Sequence, residues 1–495
     1  MRTRMPTTRS LAIAALSLTL GACTPMTPFR TALATDPAQP ADCSPQDGRV
    51  AAACARTMLE SSTKPPYDLH FVEFDDQGLQ YPDAGDYSGG NPADVGEARQ
   101  QIDTLINRLS ALPRGETLSL LVFVHGWKNN AAYDNGNVES FRRVLAAVSR
   151  TEADAPSGTP RRVVGVYVGW RGLSATVEPF TELSFWDRKF TAEKVAVGSV
   201  RALFARLKAF QCDRNGGQTD TGGRSRDGGC RGRKTGDNPN VRMLLIGHSF
   251  GGLIMYNAIA EDLIESLTYD LPTGRKPQPA TRFGDMVILL NPAFEATRYT
   301  PLFRAAQRAS QIGYQRYQAP IFVSVTTRAD WATGLAFPFG RFLNTLFERE
   351  ASSEEQQANR NTIGHVQQYI THTLLKSESE TCPGWKLDPS TDAEIRNNQE
   401  LEKQASRRFF ADYQLSDGKL KDPWTRPFCG NMALQLLTAG ETNGVKPDPD
   451  SPIWNVATDK PIMNGHSDIT NAYLESFVRQ LYQDVVLYPF GPRSP

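Results

Sequence analysis

The chain lacks three features that would assign it to other classes of protein. Its 54 basic and 54 acidic residues cancel, so it has no net charge with which to attract a nucleic-acid backbone. Beyond the N-terminus no apolar run is long enough to cross a bilayer. No two of the seven cysteines are spaced as CxxC, and none lies within a few residues of a histidine, which argues against a zinc site. We therefore expect no nucleic-acid partner and no metal.

The length and composition indicate a large globular protein. Single hydrophobic cores stop growing at roughly 250 to 300 residues, so 495 residues predict one catalytic domain with a sizeable insertion, or two domains. An apolar content of 40%, with 33 prolines and 39 glycines, is typical of a folded chain with many turns.

The first residues have the pattern of an export signal. Three arginines within the first nine residues precede an apolar stretch over residues 11–20, and small residues follow in Leu20-Gly21-Ala22-Cys23. This ending resembles the bacterial lipoprotein signal, which implies cleavage after residue 22 and a lipid on Cys23. An ordinary secretory peptide, with Cys23 as a bystander, is the alternative. By the same resemblance, Thr24 implies a lipid-anchored protein of the cell envelope, on the outer membrane facing the periplasm or the surface.

The other six cysteines form an even set, which in an oxidising compartment suggests three disulfides. Six cysteines allow fifteen pairings. Proximity along the chain favours these three: Cys43 with Cys54, Cys212 with Cys230, and Cys382 with Cys429.

Residues 23–65 are rich in Pro, Ala, Thr and Ser, which predicts a tether that carries one small disulfide loop. After it, apolar runs of strand length alternate with helical patterns, among them one long helix over residues 185–210. The predicted strands are 67–74, 118–124, 162–168, 241–247, 285–290, 320–326 and 453–457. This alternation predicts an α/β fold, with a mostly parallel, doubly wound sheet and right-handed crossovers. Its core would comprise residues 66–331 and 451–490.

Two segments interrupt that pattern. Residues 213–240 are dense in Gly, Arg and Asp and predict a solvated loop, pinned by Cys212 and Cys230. Residues 332–450 form a large insertion before the last strand. Its helical pattern over residues 337–348 and its position favour a cap over the site, and a detached interaction domain is the alternative.

The motif Gly247-His248-Ser249-Phe250-Gly251 lies between an apolar strand and a helical segment. This strand-turn-helix setting is the one that a nucleophile elbow requires. Glycines beside the serine leave room for neighbouring backbone in the tight turn. The hydroxyl would stand at a helix N-terminus, whose dipole and free N–H groups favour a developing negative charge. Ser249 is therefore the candidate nucleophile.

On this motif and its setting the chain resembles the α/β-hydrolase superfamily, and within it the bacterial lipases and esterases. The resemblance covers residues 67–326 and 453–487. It implies an oxyanion hole built from the backbone N–H groups of Phe250 and Trp127, the latter in His125-Gly126-Trp127. It also implies that the acid and then the histidine follow the serine along the chain, and that no cofactor is needed.

Three histidines follow Ser249. His466 lies after the last predicted strand, where the superfamily carries its base, and is our candidate. His365 and His372 are expected to line a cap helix. His125 is expected to order its loop rather than act as a base, and His248 to support the site from outside it.

Two carboxylates compete for the role of the residue that orients the base. Asp330 follows the strand after which most relatives carry the acid, and it is the first choice. Glu295 follows the preceding strand, which some members of the superfamily use, and it is the alternative. Asp468 lies only two residues from His466, so a local helix-capping role explains it better.

These residues predict a serine hydrolase that cleaves carboxylic esters, with lipid esters suggested by the membrane anchor. A thioesterase, an acyltransferase or an amide hydrolase could use the same scaffold, because a fold does not determine its reaction. A catalytically inactive envelope scaffold is a further alternative.

Overall fold

The apolar runs of the sequence form the strands of a central sheet in the computed structural model. The structure describes residues 27–32, 43, 52–81, 100–153, 160–173, 184–215, 240–268, 283–314, 319–344, 349–415 and 424–487. Together they form an α/β structure with a mixed, mostly parallel sheet and helices on both faces.

Eleven strands make up this sheet. In chain order they are β1 Leu59–Thr63, β2 Pro66–Phe74, β3 Leu118–Val124, β4 Arg162–Trp170, β5 Val241–His248, β6 Met286–Leu290, β7 Phe322–Thr327, β8 His372–Lys376, β9 Thr425–Phe428, β10 Met432–Leu436 and β11 Ile453–Thr458. Their order across the sheet is β1-β2-β4-β3-β5-β6-β7-β11-β8-β10-β9. Neighbouring strands from β2 to β8 run parallel, and the strands at both ends of the sheet pair antiparallel.

Ten helices flank the sheet in the part of the chain described above. They are α1 Gln101–Ala111, α2 Gly136–Ala153, α3 Phe185–Val197, α4 Val200–Arg214, α5 Phe250–Thr268, α6 Ala296–Ile312, α7 Phe337–Asn344, α8 Ser353–Arg360, α9 Asp392–Leu415 and α10 Ala472–Leu487. None of them is long and apolar enough to cross a membrane.

Strand β3 shows why its sequence is apolar at every position except Ser119. All of its residues are buried. Leu120 and Val122 pack with α1, α4 and α5, whereas Leu121 and Phe123 pack on the other face with α2 and α10. A strand covered on both faces needs apolar side chains at both alternate sets of positions.

The connections leave a crevice at the carboxyl edge of the sheet. After β3 the chain turns towards β4, and after β5 it turns to the opposite side, towards β6. Because β3 and β5 are neighbours in the sheet, the loops that follow them run in opposite directions and leave a gap between these two strands. Such a switch point is where open α/β sheets bind their ligands.

The long helix predicted over residues 185–210 is wrong, because the structure has two helices with a break at Gly198 and Ser199. The loop after β2 causes the break. A β-carbon on Gly198 would overlap the carbonyl oxygen of Gly78, and the Ser199 N–H donates to that oxygen at 2.8 Å. Gly198 caps α3, and the contact with this loop lies at the same point.

The predicted tether, residues 23–65, also needs correction. Its last residues form β1, which pairs antiparallel with β2. Further towards the N-terminus, Arg30 is fully buried and donates to the Ala131 carbonyl, to the Cys54 carbonyl and to the Glu60 carboxylate. The described residues up to 65 therefore belong to the folded domain, and Cys43 and Cys54 form the predicted disulfide within it.

The structure divides the predicted insertion, residues 332–450, into two parts. Residues 332–344 follow Asp330 and begin with its hydrogen-bond partners Ala332 and Thr333, whereas β8, β9 and β10 extend the central sheet beyond β11. This second part is neither a cap nor a detached domain, and the predicted disulfide Cys382–Cys429 lies within it. Strands of four or five residues carry too little periodicity to be separated from loops by sequence. The partner predicted for Cys212, Cys230, lies outside the described residues.

Candidate active site

Ser249 occupies the turn between β5 and α5. Its φ of 55° lies in the left-handed region that non-glycine residues rarely adopt, and its N–H donates to the Leu290 carbonyl at 3.0 Å. Two motif glycines make the turn possible. A β-carbon on Gly247 would lie 2.9 Å from the Gly251 carbonyl oxygen, and one on Gly251 would overlap the Val124 carbonyl.

Three side chains from distant parts of the chain meet at this turn. The His466 Nε2 lies 2.8 Å from the Ser249 Oγ, and the His466 Nδ1 lies 2.7 Å from the Asp330 Oδ2. A carboxylate only accepts hydrogen bonds, so Nδ1 carries the proton and Nε2 accepts from the serine hydroxyl. The imidazole is therefore in the tautomer that can take a proton from Ser249.

Asp330 is held by the start of the helical segment that follows it. Its Oδ1 accepts from the N–H groups of Ala332 and Thr333, at 2.9 and 3.1 Å, and its Oδ2 accepts from the Thr333 hydroxyl at 2.6 Å. Burial opposes ionisation of this carboxyl. The hydrogen bond and charge of His466, together with the hydrogen bonds from Thr333, outweigh burial and lower its pKa.

A second histidine, His365, extends this arrangement. The sequence analysis did not predict its contact. The His365 Nε2 lies 3.1 Å from the Thr333 Oγ1. The threonine has one proton and donates it to Asp330, so His365 must donate to the threonine oxygen. Burial lowers the pKa of His365, against the effect of Asp330. The spacing of Thr333, three residues after an aspartate at a helix start, could have signalled its contact with Asp330. Nothing in the local sequence signals the contact with His365.

Two side chains hold the loop that carries the base. The His466 carbonyl accepts from the His248 Nε2 and from the Asn291 Nδ2, both at 2.9 Å. Asn291 also binds the Gly465 carbonyl, and its own Oδ1 accepts from the Thr327 N–H. Burial, together with the nearby charge of His466, lowers the pKa of His248 to about 3, so His248 stays neutral.

The loop after β3 brings backbone close to Ser249. A β-carbon on Gly126 would lie 2.7 Å from the Ser249 Cβ, so only glycine permits this approach. His125 is fully buried, and its ring nitrogens contact the Gly126 carbonyl and the Trp170 N–H. Burial lowers its pKa to about 4, which keeps it neutral and suits it to ordering the loop.

Aromatic rings pack against one another beside the turn that carries Ser249. Phe185 packs edge-on against Trp127 at 5.0 Å between ring centroids and lies 4.9 Å from Phe250. The line of contacts continues through Trp186 to Phe337 at the start of α7. Phe185 therefore contacts both residues that are predicted to supply the oxyanion hole, Trp127 and Phe250.

Glu295 is committed elsewhere. Its carboxylate pairs with Lys189 at 2.7 Å, with Arg298 at 3.0 Å and with Arg341 at 3.2 Å. Burial opposes its ionisation, but these cations outweigh burial and lower its pKa to about 2. The structure therefore places Asp330, and not Glu295, against the His466 ring.

The expectation that His365 and His372 line a cap helix is wrong. His365 lies in a short 3-10 turn, Ile363–His365, and reaches the site through Thr333. His372 begins β8, four positions from β5 in the sheet, and its ring packs against Trp424 and Trp454. Its role is therefore in the core.

Comparison with known proteins does not assign the chain to a family, since no family model, no curated protein and no solved structure matches it. Among the described residues, no group of three or more His, Cys, Asp or Glu side chains is arranged to hold a metal ion. The geometry of the site must therefore carry the functional argument.

Proposed function

We propose that the protein is a serine hydrolase that cleaves carboxylic esters, with Ser249 as nucleophile, His466 as base and Asp330 as the residue that orients the base. The observation that carries this proposal is the pair of contacts made by one imidazole, 2.8 Å to the Ser249 Oγ and 2.7 Å to the Asp330 Oδ2. Nucleophile, base and orienting carboxylate in hydrogen-bond contact are the signature of an activated serine.

The first half of the reaction follows from these contacts. The Ser249 oxygen attacks the ester carbonyl while the His466 Nε2 takes the hydroxyl proton. The Asp330 carboxylate stabilises the imidazolium that forms. His466 then gives the proton to the departing alcohol, and the acyl group remains on Ser249 as an ester.

The second half repeats these steps with water. His466 takes a proton from a water molecule, which attacks the acyl carbonyl, and returns that proton to Ser249 as the acid leaves. In both halves the negative oxygen forms near the start of α5, where the Phe250 N–H and the Trp127 N–H are the proposed donors. The close approach of Gly126 to Ser249 supports the choice of Trp127.

The setting of the site supports an α/β-hydrolase fold for the proposed enzyme. Ser249 stands on a strained turn between a buried parallel strand and a helix, as a nucleophile elbow does. The acid and the base follow the serine in the order of that superfamily. We further propose that the mature chain is attached through Cys23 to a membrane of the cell envelope, on the pattern of its N-terminal residues.

Labelling with a fluorophosphonate probe tests the proposal, because such probes react only with an activated serine. We expect the wild-type protein to form a covalent adduct and Ser249→Ala to form none. Ser266→Ala, on the far end of the same helix, is the matched control and should label like the wild type. A folded wild-type protein that stays unlabelled would refute the proposed enzyme and favour a scaffold role.

A panel of p-nitrophenyl esters with acyl chains of rising length measures turnover by the same site. The partly exposed rings of Phe185 and Trp186 predict that kcat/KM rises with chain length before it levels off. Matched thioester and amide substrates in the same assay separate an esterase from the alternative acyl chemistries.

A further inference from the structure

Large apolar side chains are exposed at one edge of the molecule. Among the described residues, seven are exposed: Leu79, Phe190, Val197, Trp331, Leu335, Phe339 and Phe342. Leu79 follows β2, and the last four follow β7. Since parallel strands end at the same edge of a sheet, these five lie at the carboxyl edge, where Ser249 is.

Phe190 and Val197 belong to α3, which lies along the same edge. Near its start Phe185 contacts Phe250, in its middle Lys189 pairs with Glu295, and past its end Ser199 binds the loop after β2. Each of these partners follows the carboxyl end of a parallel strand. The seven exposed apolar side chains therefore share one edge with the proposed active site.

The strongest part of this surface begins directly after Asp330. Trp331, Leu335, Phe339 and Phe342 recur every three or four residues along a π-helical turn and α7, and each is 44% to 69% exposed. Within the same segment Ala332 and Phe337 are buried. The segment is thus amphipathic, with one side in the protein and the other facing solvent. We call these four residues and Phe190 the apolar edge.

The N-terminal segment enters the domain at this same edge. The N–H groups of Phe29 and Arg30 donate to the Glu73 carboxylate, near the carboxyl end of β2, at 3.1 and 2.7 Å. The Arg30 guanidinium reaches the Ala131 carbonyl, in the loop after β3. Cys23 lies six residues before Phe29, and six residues span at most about 20 Å. A lipid on Cys23 would therefore hold the carboxyl edge close to the bilayer.

We propose that the apolar edge docks on the lipid bilayer to which Cys23 is attached, so that the active-site crevice opens towards the membrane. Tryptophan and phenylalanine on one side of a helical segment suit the boundary between headgroups and acyl chains. Exposed apolar surfaces of this kind mark interaction sites. The short segment between Cys23 and Phe29 would bring a bilayer to this one. This inference rests on the proposed lipid anchor but does not require Ser249 to be catalytic.

Depth-dependent quenching of Trp331 tests the docking directly. Full-length lipid-modified protein is placed on phosphatidylcholine vesicles, with and without brominated acyl chains, which quench tryptophan on contact. The difference between the wild type and Trp331→Phe isolates the emission of Trp331. We expect that emission to shift to the blue on plain vesicles and to be lost on brominated vesicles. Protein that sediments with the vesicles but keeps its Trp331 emission, or that does not bind them, overturns the proposal.

Charged variants separate docking from anchoring. Leu335→Glu combined with Phe339→Glu should restore Trp331 emission on brominated vesicles while the protein still sediments with them. Ala209→Glu adds a charge at an exposed position of α4, nearer the opposite edge, and should be quenched like the wild type. Equal quenching of the double variant would overturn the assignment of the surface.

The same measurement on Ser249→Ala separates this proposal from the proposed function. Quenching that persists in Ser249→Ala shows docking without hydrolysis. Quenching that is lost in Ser249→Ala would mean that contact with lipid depends on the reaction, and the docking proposal would fail. Wild-type protein that is quenched but reacts with no fluorophosphonate would retain the docking and refute the hydrolase.

Discussion

The Asp330 carboxylate receives four hydrogen bonds, from the Ala332 N–H, from the N–H and hydroxyl of Thr333, and from His466. Glu295, the other carboxylate in a comparable sequence position, is neutralised by three cations instead. The partners of each carboxylate therefore decide its role, because their positions after neighbouring strands are nearly equivalent.

At the residue scale, Asp330→Asn should leave the protein folded and lower kcat by about 10³- to 10⁴-fold, by analogy with the effect of the same change in serine proteases. The amide would present a donor to the His466 Nδ1 and favour the wrong tautomer. Steady-state hydrolysis of a p-nitrophenyl ester at pH 7 measures the loss. Glu295→Gln is the control, and an equal fall in kcat for that variant would reverse the assignment of the two carboxylates.

Thr333 offers a finer test, because its hydroxyl connects Asp330 to His365. Thr333→Val keeps the shape but removes the hydroxyl, and we expect kcat/KM to fall by about 10-fold, the effect typical of losing a partner that orients an active-site ligand. Thr333→Ser keeps the hydroxyl and should restore most of the rate. A rate that is the same in both variants would show that the hydroxyl has no positioning role.

At the scale of elements, the Glu295 cluster ties three helices together at the carboxyl edge. Lys189 comes from α3, Arg298 from α6 and Arg341 from α7. The Glu295 side chain is only 5% exposed, so solvent screens these pairs weakly. The cluster therefore fixes α3 and α7, which carry much of the apolar edge, relative to the sheet.

This cluster predicts a dependence of stability on pH. The pKa of Glu295 is lowered from 4.5 to about 2, so its contribution is complete above pH 4.5 and is lost as the pH falls from 4.5 towards 2. At pH 7 Glu295→Gln should lower the free energy of unfolding by roughly 3 kcal/mol.

Urea unfolding of both proteins at pH 7, 4 and 2.5 measures that difference. We expect it to shrink slightly at pH 4 and strongly at pH 2.5, because the unfolded glutamate binds a proton at these values and must release it on folding. A difference that stays constant over this range would mean that the glutamate charge does not stabilise the fold.

Long elements and short ones differ in how well the sequence predicts them. Strands β3 and β5 are seven and eight residues long and almost wholly apolar, so their positions were predicted within one residue. By contrast, β9 has four residues and β1 has five, and both were assigned to other segments. Their strand conformation depends on pairing with β10 and β2, which local sequence does not encode.

At the scale of the whole molecule, Arg30 fastens the N-terminal segment to the domain. Arg30→Met should lower the free energy of unfolding by about 3 to 5 kcal/mol, because the buried Glu60 loses its fully buried partner and retains the partly exposed Arg142. It should also speed proteolysis between residues 27 and 32. Denaturant unfolding and timed proteolysis measure the two effects.

Arg56→Met is the matched control for this prediction. Arg56 contacts Thr31 but is exposed, so its loss should change stability by less than about 1 kcal/mol. If the two variants were equally stable, the buried guanidinium would not be what holds the segment.

The sequence by itself determined the features that depend on neighbouring residues. The parallel strands follow from continuous apolar runs, the turn at Ser249 follows from a motif with glycines two residues to each side, and the order of serine, acid and histidine reduced the candidates to a few. The strands and the turn are each written within a span of a few residues, where periodicity and steric requirements act directly. The order of the three residues is what the resemblance implies.

Only the tertiary structure decided which residues meet. His466 contacts a serine 217 positions away and an aspartate 136 positions away, and the choice of Asp330 over Glu295 appeared only in those contacts. The burial of Arg30, the break after α3 and the place of His365 beside Thr333 have the same origin. A contact between distant residues depends on the folded sheet, which brings the ends of separate strands together, and local spacing along the chain does not encode it.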